Sequence, residues 1–342
     1  MVSPVGFLLA CAIALAGLVS SAHAAPYMDS TRADHLLAIQ DAILNEQFDS
    51  ALTLSETLMH DQPTDPGGYL MAAATLLGEM TGAEANLHED RFKQLLDSSL
   101  ALSDSALVNA DSTHAAWLHL YIGHARAYRA LWESRFGSFI TAAKLGFSAA
   151  EAYEKGLAAD SSVYDLYLGL GSFHYWKSAK AGLLRWMGII NDDKELGVKE
   201  LNLAADSSLI FADAARQAMI WVWLDRGFYD SATVASETAR ARYPHGTLFL
   251  WPLAEAQFKN RQFTKAIATY EEIRSAIVVN PGNYYNLISV DYQLAQCYYE
   301  LEDKEKVKEI ARTVRDYRRA IPRKTEYRQR NALEELSRMA RM

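Results

Sequence analysis

The six residues LAADSS occur twice, at Leu157–Ser162 and at Leu203–Ser208, 46 positions apart, with a partial echo, ADS, at Ala110–Ser112. A chain that rewrites a segment at such a distance is built from repeats, each a supersecondary unit that cannot bury its apolar face alone. The surrounding pattern says what the unit contains. Apolar residues recur at helical spacing, as in Leu36, Ile39 and Ile43 and in Leu294, Cys297, Tyr298 and Leu301, and strand-like alternation runs nowhere over a useful length. Between these runs lies turn chemistry: Pro63–Gly68, PTDPGG, predicts Asp65 as a helix N-cap with Pro66 at the first helical position.

In LAADSS the leucine is expected to close a core contact and the alanines to permit close helix approach. Asp-Ser-Ser is expected to offer acceptors to the free N–H groups of the following helix. Gln62 to Asp111 and Asp111 to Asp160 are both intervals of 49 residues. They predict helices of about 20 residues, about 30 Å long, in the N-terminal half, and shorter ones after it.

At 342 residues, 50% hydrophobic and 22% charged, the chain has the composition of a globular protein with a continuous core. Its first 24 residues carry an apolar run, Val5 to Val19, followed by Ala22-His23-Ala24, the layout of a secretory signal peptide cleaved after Ala24. Export to the periplasm or beyond is therefore expected. Cleavage would leave Cys297 as the only cysteine, which excludes an intrachain disulfide and a thiolate metal site. Charge is uneven: residues 25–303 carry a net −15 and residues 304–342 a net +7. The basic end reads as a solvated helix complementing its acidic neighbour, with binding to an anionic surface as the alternative.

Gly227, Tyr229, Ala232, Ala239 and Pro244 place a glycine and an aromatic at an inter-helix turn, small residues at a close crossing and a proline at the exit. Phe263, Ala266, Tyr270 and Ile273 follow about one 34-residue period later. Phe48, Ala51, Ser55, Leu58 and Pro63, then Ala149, Tyr153 and Gly156 with Leu170-Gly171, then Leu294, Ala295, Tyr298, Val307 and Ala311, are looser copies. On these residues the chain resembles the tetratricopeptide-repeat (TPR) family over nearly all of its length after the leader. The resemblance implies an all-α fold, a right-handed superhelix of antiparallel helix pairs (a TPR-like α-solenoid) with about six degenerate repeats over residues 25–322 and a basic capping helix over 323–342. The LAADSS interval exceeds the family period by 12 residues, and the surplus maps to Ser178–Ile189, expected either to fill the groove wall or to act as a lid. GLGSFHYW, LLRWMGI and NDDKELGVKEL in that region are similar to the eukaryotic TPR family linked to clearance of protein inclusions, and no catalytic residue comes with them.

By the family register one face of each first helix lines a concave groove. That face carries Leu36 and Gln40, then Leu168, Ser172 and Tyr175, then Gln217 and Trp221, then Trp251 and Glu255, and finally Tyr292, Gln296 and Tyr299. The Lys and Asn that grip a C-terminal carboxylate in well-known members are missing from these places. The groove is thus expected to hold an extended or helical polypeptide with apolar anchors.

No phosphate loop, dinucleotide fingerprint, C-x-x-C or H-E-x-x-H is present. His114, His119 and His124 are five residues apart, so on a helix they diverge by about 140° per step and do not converge on a metal. Glu133-Ser134 is similar to the Glu-Ser pair of soluble lytic transglycosylases, whose glutamic acid protonates a glycosidic oxygen, but the Gly-Leu-Met-Gln run of that family does not follow. The sequence therefore predicts a non-catalytic polypeptide-binding scaffold or assembly factor of the cell envelope, with no cofactor, no metal and no nucleic acid. A glycan-acting enzyme centred on Glu133 is the alternative from another class.

Overall fold

The computed structural model describes residues 27–180, 191–279 and 282–341, and every regular element among them is helical. The leader expected to end at Ala24, and most of the Ser178–Ile189 insertion, lie outside the described residues. In chain order the α-helices are α1 (Ser30–Leu44), α2 (Phe48–Asp61), α3 (Pro66–Ala83), α4 (Glu89–Leu107), α5 (Ser112–Phe136), α6 (Phe139–Ala159), α7 (Leu166–Lys180) and α8 (Lys194–Ser207). They continue as α9 (Ala212–Arg226), α10 (Tyr229–Arg242), α11 (Leu250–Lys259), α12 (Phe263–Val278), α13 (Tyr284–Glu300), α14 (Lys304–Tyr317), α15 (Arg323–Arg328) and α16 (Arg330–Met339). The first fourteen form seven consecutive pairs, where the sequence suggested about six.

Aspartates start the first three odd-numbered helices. Asp29, Asp65 and Asp111 each accept a backbone N–H from the first turn of α1, α3 and α5, at 2.8, 2.7 and 2.8 Å, and Pro66 opens α3 as the turn chemistry implied. A Ser, Asp or Asn cap of this kind stabilises a helix by about 1 kcal/mol.

The turn from first to second helix repeats more faithfully than its sequence does. In α1–α2, α9–α10, α11–α12 and α13–α14 a left-handed residue follows the first helix: Glu46, Gly227, Arg261 and Glu302, with φ of 54°, 79°, 59° and 60°. Each turn is closed by the same two bonds. Gln47, Phe228, Gln262 and Asp303 donate to the carbonyls of Ala42, Trp223, Gln257 and Tyr298 at 2.8–2.9 Å, and the left-handed residue donates to the carbonyl three residues before it. This is the Schellman arrangement, which satisfies two carbonyls that the helix end would otherwise leave free. Only one of the four turns uses the glycine that the conformation favours.

LAADSS behaves differently from its expectation. Helix α6 ends at Ala159 but α8 runs on to Ser207, so the two copies sit two residues out of phase. Ala204 and Ala205 are buried, whereas Ala158 in the first copy is exposed. The free N–H groups entering α9, those of Leu209, Ile210 and Phe211, do not use the neighbouring Asp-Ser-Ser. They donate to the buried carboxylate of Asp165 at 2.8, 2.8 and 2.9 Å.

From α1 to α14 each helix packs on the next, and the odd helices also touch in succession, α1 with α3, α3 with α5, α5 with α7, α7 with α9 and α9 with α11. Helices α3 to α6 are 18 to 25 residues long, close to the length read from the 49-residue intervals; α1 and α2, at 15 and 14 residues, are shorter than expected. At the α7–α8 crossing the backbones meet directly: a Cβ on Gly197 would stand 2.6 Å from the Tyr175 nitrogen.

Candidate binding groove

Two adjoining cavities are lined chiefly by odd-numbered helices. The first, about 460 Å³, is apolar, walled by α5, α6, α7 and α9 through Ala127, Tyr128, Ala149, Leu168, Phe173 and Ala218 among others. The second, about 770 Å³, is more polar, and α1, α3, α5, α9, α11 and α13 all reach it. Gln40, Tyr128, Leu131, Ala214 and Gln217 line both, so they form one groove.

The second cavity is held by contacts between the two ends of the chain. Thr247, in the loop between α10 and α11, donates its backbone N–H to Glu46 at 2.6 Å, and the Tyr243 hydroxyl donates to Asp41 at 3.0 Å. Asn286 of α13 donates to the Gly82 carbonyl at 2.6 Å. Glu84, a left-handed residue at the end of α3 with φ 51° and a side chain 5% exposed, pairs with Arg135 of α5 and, at 2.7 Å, with Arg328 of α15.

Seven residues of the sequence-predicted face line the groove: Leu168 and Ser172 in the apolar cavity, Trp221, Trp251 and Glu255 in the polar one, and Gln40 and Gln217 in both. Leu36, on the same face, is buried in the core. Trp251 stays in line despite Pro252, because Pro252 is the third residue of α11, within the turn whose N–H groups have no helical partner to lose. Tyr175 is elsewhere. It is fully buried among Leu201, Met219 and Val222, and its hydroxyl donates to Asp225 at 2.8 Å. Tyr292 packs with the C-terminal core and accepts a bond from Gln296 at 2.7 Å, and Tyr299 is exposed.

On α13 the groove is lined instead by Tyr285, Asn286 and Ser289. Tyr285 precedes Tyr292 by seven residues, so the two share one helix face, about 10 Å apart along the axis. The sequence marked that face and not the end of the helix that closes the cavity.

Burial sets the electrostatics. His124 lies on the wall of the apolar cavity with its Nδ1 2.8 Å from the Tyr153 hydroxyl, and burial pushes its pKa down to about 3, so this wall is uncharged at neutral pH. His114, ten residues earlier, stacks on Tyr27 at 3.9 Å. Among the described residues no group of three His, Cys, Asp or Glu is placed to hold a metal. Glu133 closes the turn between α5 and α6 by accepting the Ser138 N–H at 2.9 Å, and Ser134 bonds back to the Leu131 carbonyl at 2.7 Å. Neither residue lines the groove. Among the described residues no helix is long and apolar enough to cross a membrane. No protein-family model and no curated protein matches this chain.

Proposed function

We propose that this chain is an exported helical-repeat protein of the tetratricopeptide type, its helix pairs winding into a right-handed superhelix, and that its concave face holds a polypeptide segment in the cell envelope as a scaffold or assembly factor. The observation that carries this reading is that six odd-numbered helices, α1, α3, α5, α9, α11 and α13, contribute to one cavity, whereas of the even-numbered helices only α2 reaches it, through its first residue, Phe48. Repeat proteins bind on the concave surface that such an inner layer creates. The apolar compartment suits aliphatic or aromatic anchors, and the amides of Gln40, Gln217 and Asn286 suit the backbone of an extended or helical guest.

The test is capture of partners from an envelope extract by the protein without residues 1–24, followed by affinity measurement on single variants. Trp221→Ala and Trp251→Ala, each confirmed to melt cooperatively, are expected to weaken binding by about 2 kcal/mol, roughly 30-fold. Tyr292→Ala, outside the groove, is expected to bind like wild type. If both tryptophan variants also bind like wild type, the groove reading falls. The better site would then be the cleft of about 370 Å³ between α14 and α16, lined by Lys308, Arg312, Arg315, Arg318 and Arg341 and by no carboxylate.

A further inference from the structure

Three carboxylates line the polar cavity, and two of them are engaged: Glu46 accepts the Thr247 N–H, and Glu84 pairs with Arg135 and Arg328. Glu255 has neither an ion pair nor a hydrogen bond among the described residues. It is half-buried, and burial raises its carboxyl above the ordinary value, with Lys259 alone working against the rise. A carboxylate held this way has lost hydration without gaining a partner.

Its neighbours Trp251 and Trp221 are partly buried, each packed on an apolar cluster on one side. Trp251 precedes Glu255 by four residues on α11, a spacing that puts both side chains on one face, one turn apart. Trp221 reaches the same cavity from α9, which packs against α11. Neither indole stacks on another ring or has a cation over its face among the described residues, although ten other aromatic rings among those residues do carry a Lys or Arg. Those include Tyr285, in the same cavity, covered by Arg328 at 4.1 Å. Among the described residues Arg135 is the one cationic side chain in the lining, and it is held by Glu84.

An unpaired carboxylate beside indoles that line the same cavity and carry no cation is complementary to a desolvated cation. The negative face of each ring attracts positive charge, and the carboxylate fixes it. We propose that Glu255, Trp221 and Trp251 form a subsite for a cationic side chain, Lys or Arg, of the polypeptide held in the groove. This rests on the groove reading and adds the chemistry of one anchor: the guest places an aliphatic stem along the indoles and its charged end at Glu255, while its apolar anchors occupy the Leu168 compartment.

The test uses small probes of that side chain on the intact protein. n-Butylammonium, n-butylguanidinium and neutral 1-butanol are titrated while the indole N–H resonances of Trp221 and Trp251, identified through the variants Trp221→Phe and Trp251→Phe, are followed by NMR. Both cations are expected to move the two resonances at concentrations about tenfold lower than butanol, and Glu255→Gln is expected to abolish that preference while leaving the butanol response. Equal responses to cation and alcohol, a preference that survives Glu255→Gln, or no movement of either resonance would overturn the subsite. The groove reading is judged separately on captured polypeptides. If Glu255→Gln binds them like wild type while Trp221→Ala does not, the cation subsite falls and the groove stands.

Discussion

The two halves of the molecule solve the same packing problem in different ways. Helices α3 to α6 are long, and most of the buried apolar residues from Ala33 to Leu170, with Ile210 and Phe211, form one continuous core. From α9 onward the helices are 10 to 17 residues long among the first members and partners of each pair, and the apolar interior breaks into separate clusters. One lies around Ile220 and Ala232, another around Tyr270 and Leu294, and another around Val307 and Leu336. A long helix reaches neighbours on both sides and joins successive pairs into one unit. A short one packs chiefly on the helices next to it in the chain, within its pair and in the adjoining one, so the stability of that half approaches a sum of nearest-neighbour terms. The C-terminal half depends correspondingly more on its contacts with α1 and α3.

The largest effect expected from this contrast is at fully buried positions. Phe92→Ala and Ile273→Ala are each expected to cost about 2 to 5 kcal/mol. Phe92→Ala should lower the melting of the whole N-terminal core together, whereas Ile273→Ala should loosen α11 to α13 first. Hydrogen exchange followed by mass spectrometry separates these outcomes, and equal deprotection of all helices by Ile273→Ala would break the comparison. Smaller is the effect at close crossings. Ala232 and Ala266 are fully buried, so Ala232→Leu and Ala266→Leu should destabilise by about 1 to 3 kcal/mol through overpacking, while Glu237→Leu and Glu271→Leu, at exposed positions, should lie within about 0.5 kcal/mol of wild type. Thermal melts that fail to separate the two classes would refute the repeat register.

The smallest effect sharpens the role of the left-handed turns. Glu302 has φ 60° and no side-chain bond or ion pair among the described residues. Glu302→Gly should therefore relieve backbone strain and leave stability unchanged or raised by up to about 1 kcal/mol. Glu84→Gly removes the same strain together with the carboxylate that holds Arg135 and Arg328, and it should come out net destabilising, with exchange rising in α15. A gain at both positions in denaturant titrations would mean that the contact between chain ends adds nothing.

What the sequence determined by itself was local: that the chain is helix after helix, that Asp65 and Pro66 open α3, that α3 to α6 run long, and which faces of α9 and α11 carry Gln217, Trp221, Trp251 and Glu255. Each follows from residues within a turn or two of one another, where side-chain chemistry and the helical period act directly. The tertiary structure decided the rest. Asp165 caps α9 from more than 40 residues away in place of the second LAADSS, and three Schellman turns use Glu46, Arg261 and Glu302 where glycine would have announced them. Tyr175 turned inward because α8 and α9 cover it. The groove took Tyr285 instead of Tyr292 because the end of α3 meets α13 at its start, through Asn286. These are contacts between segments up to 244 residues apart, and a helical period records which face of a helix is apolar without recording which neighbour covers it.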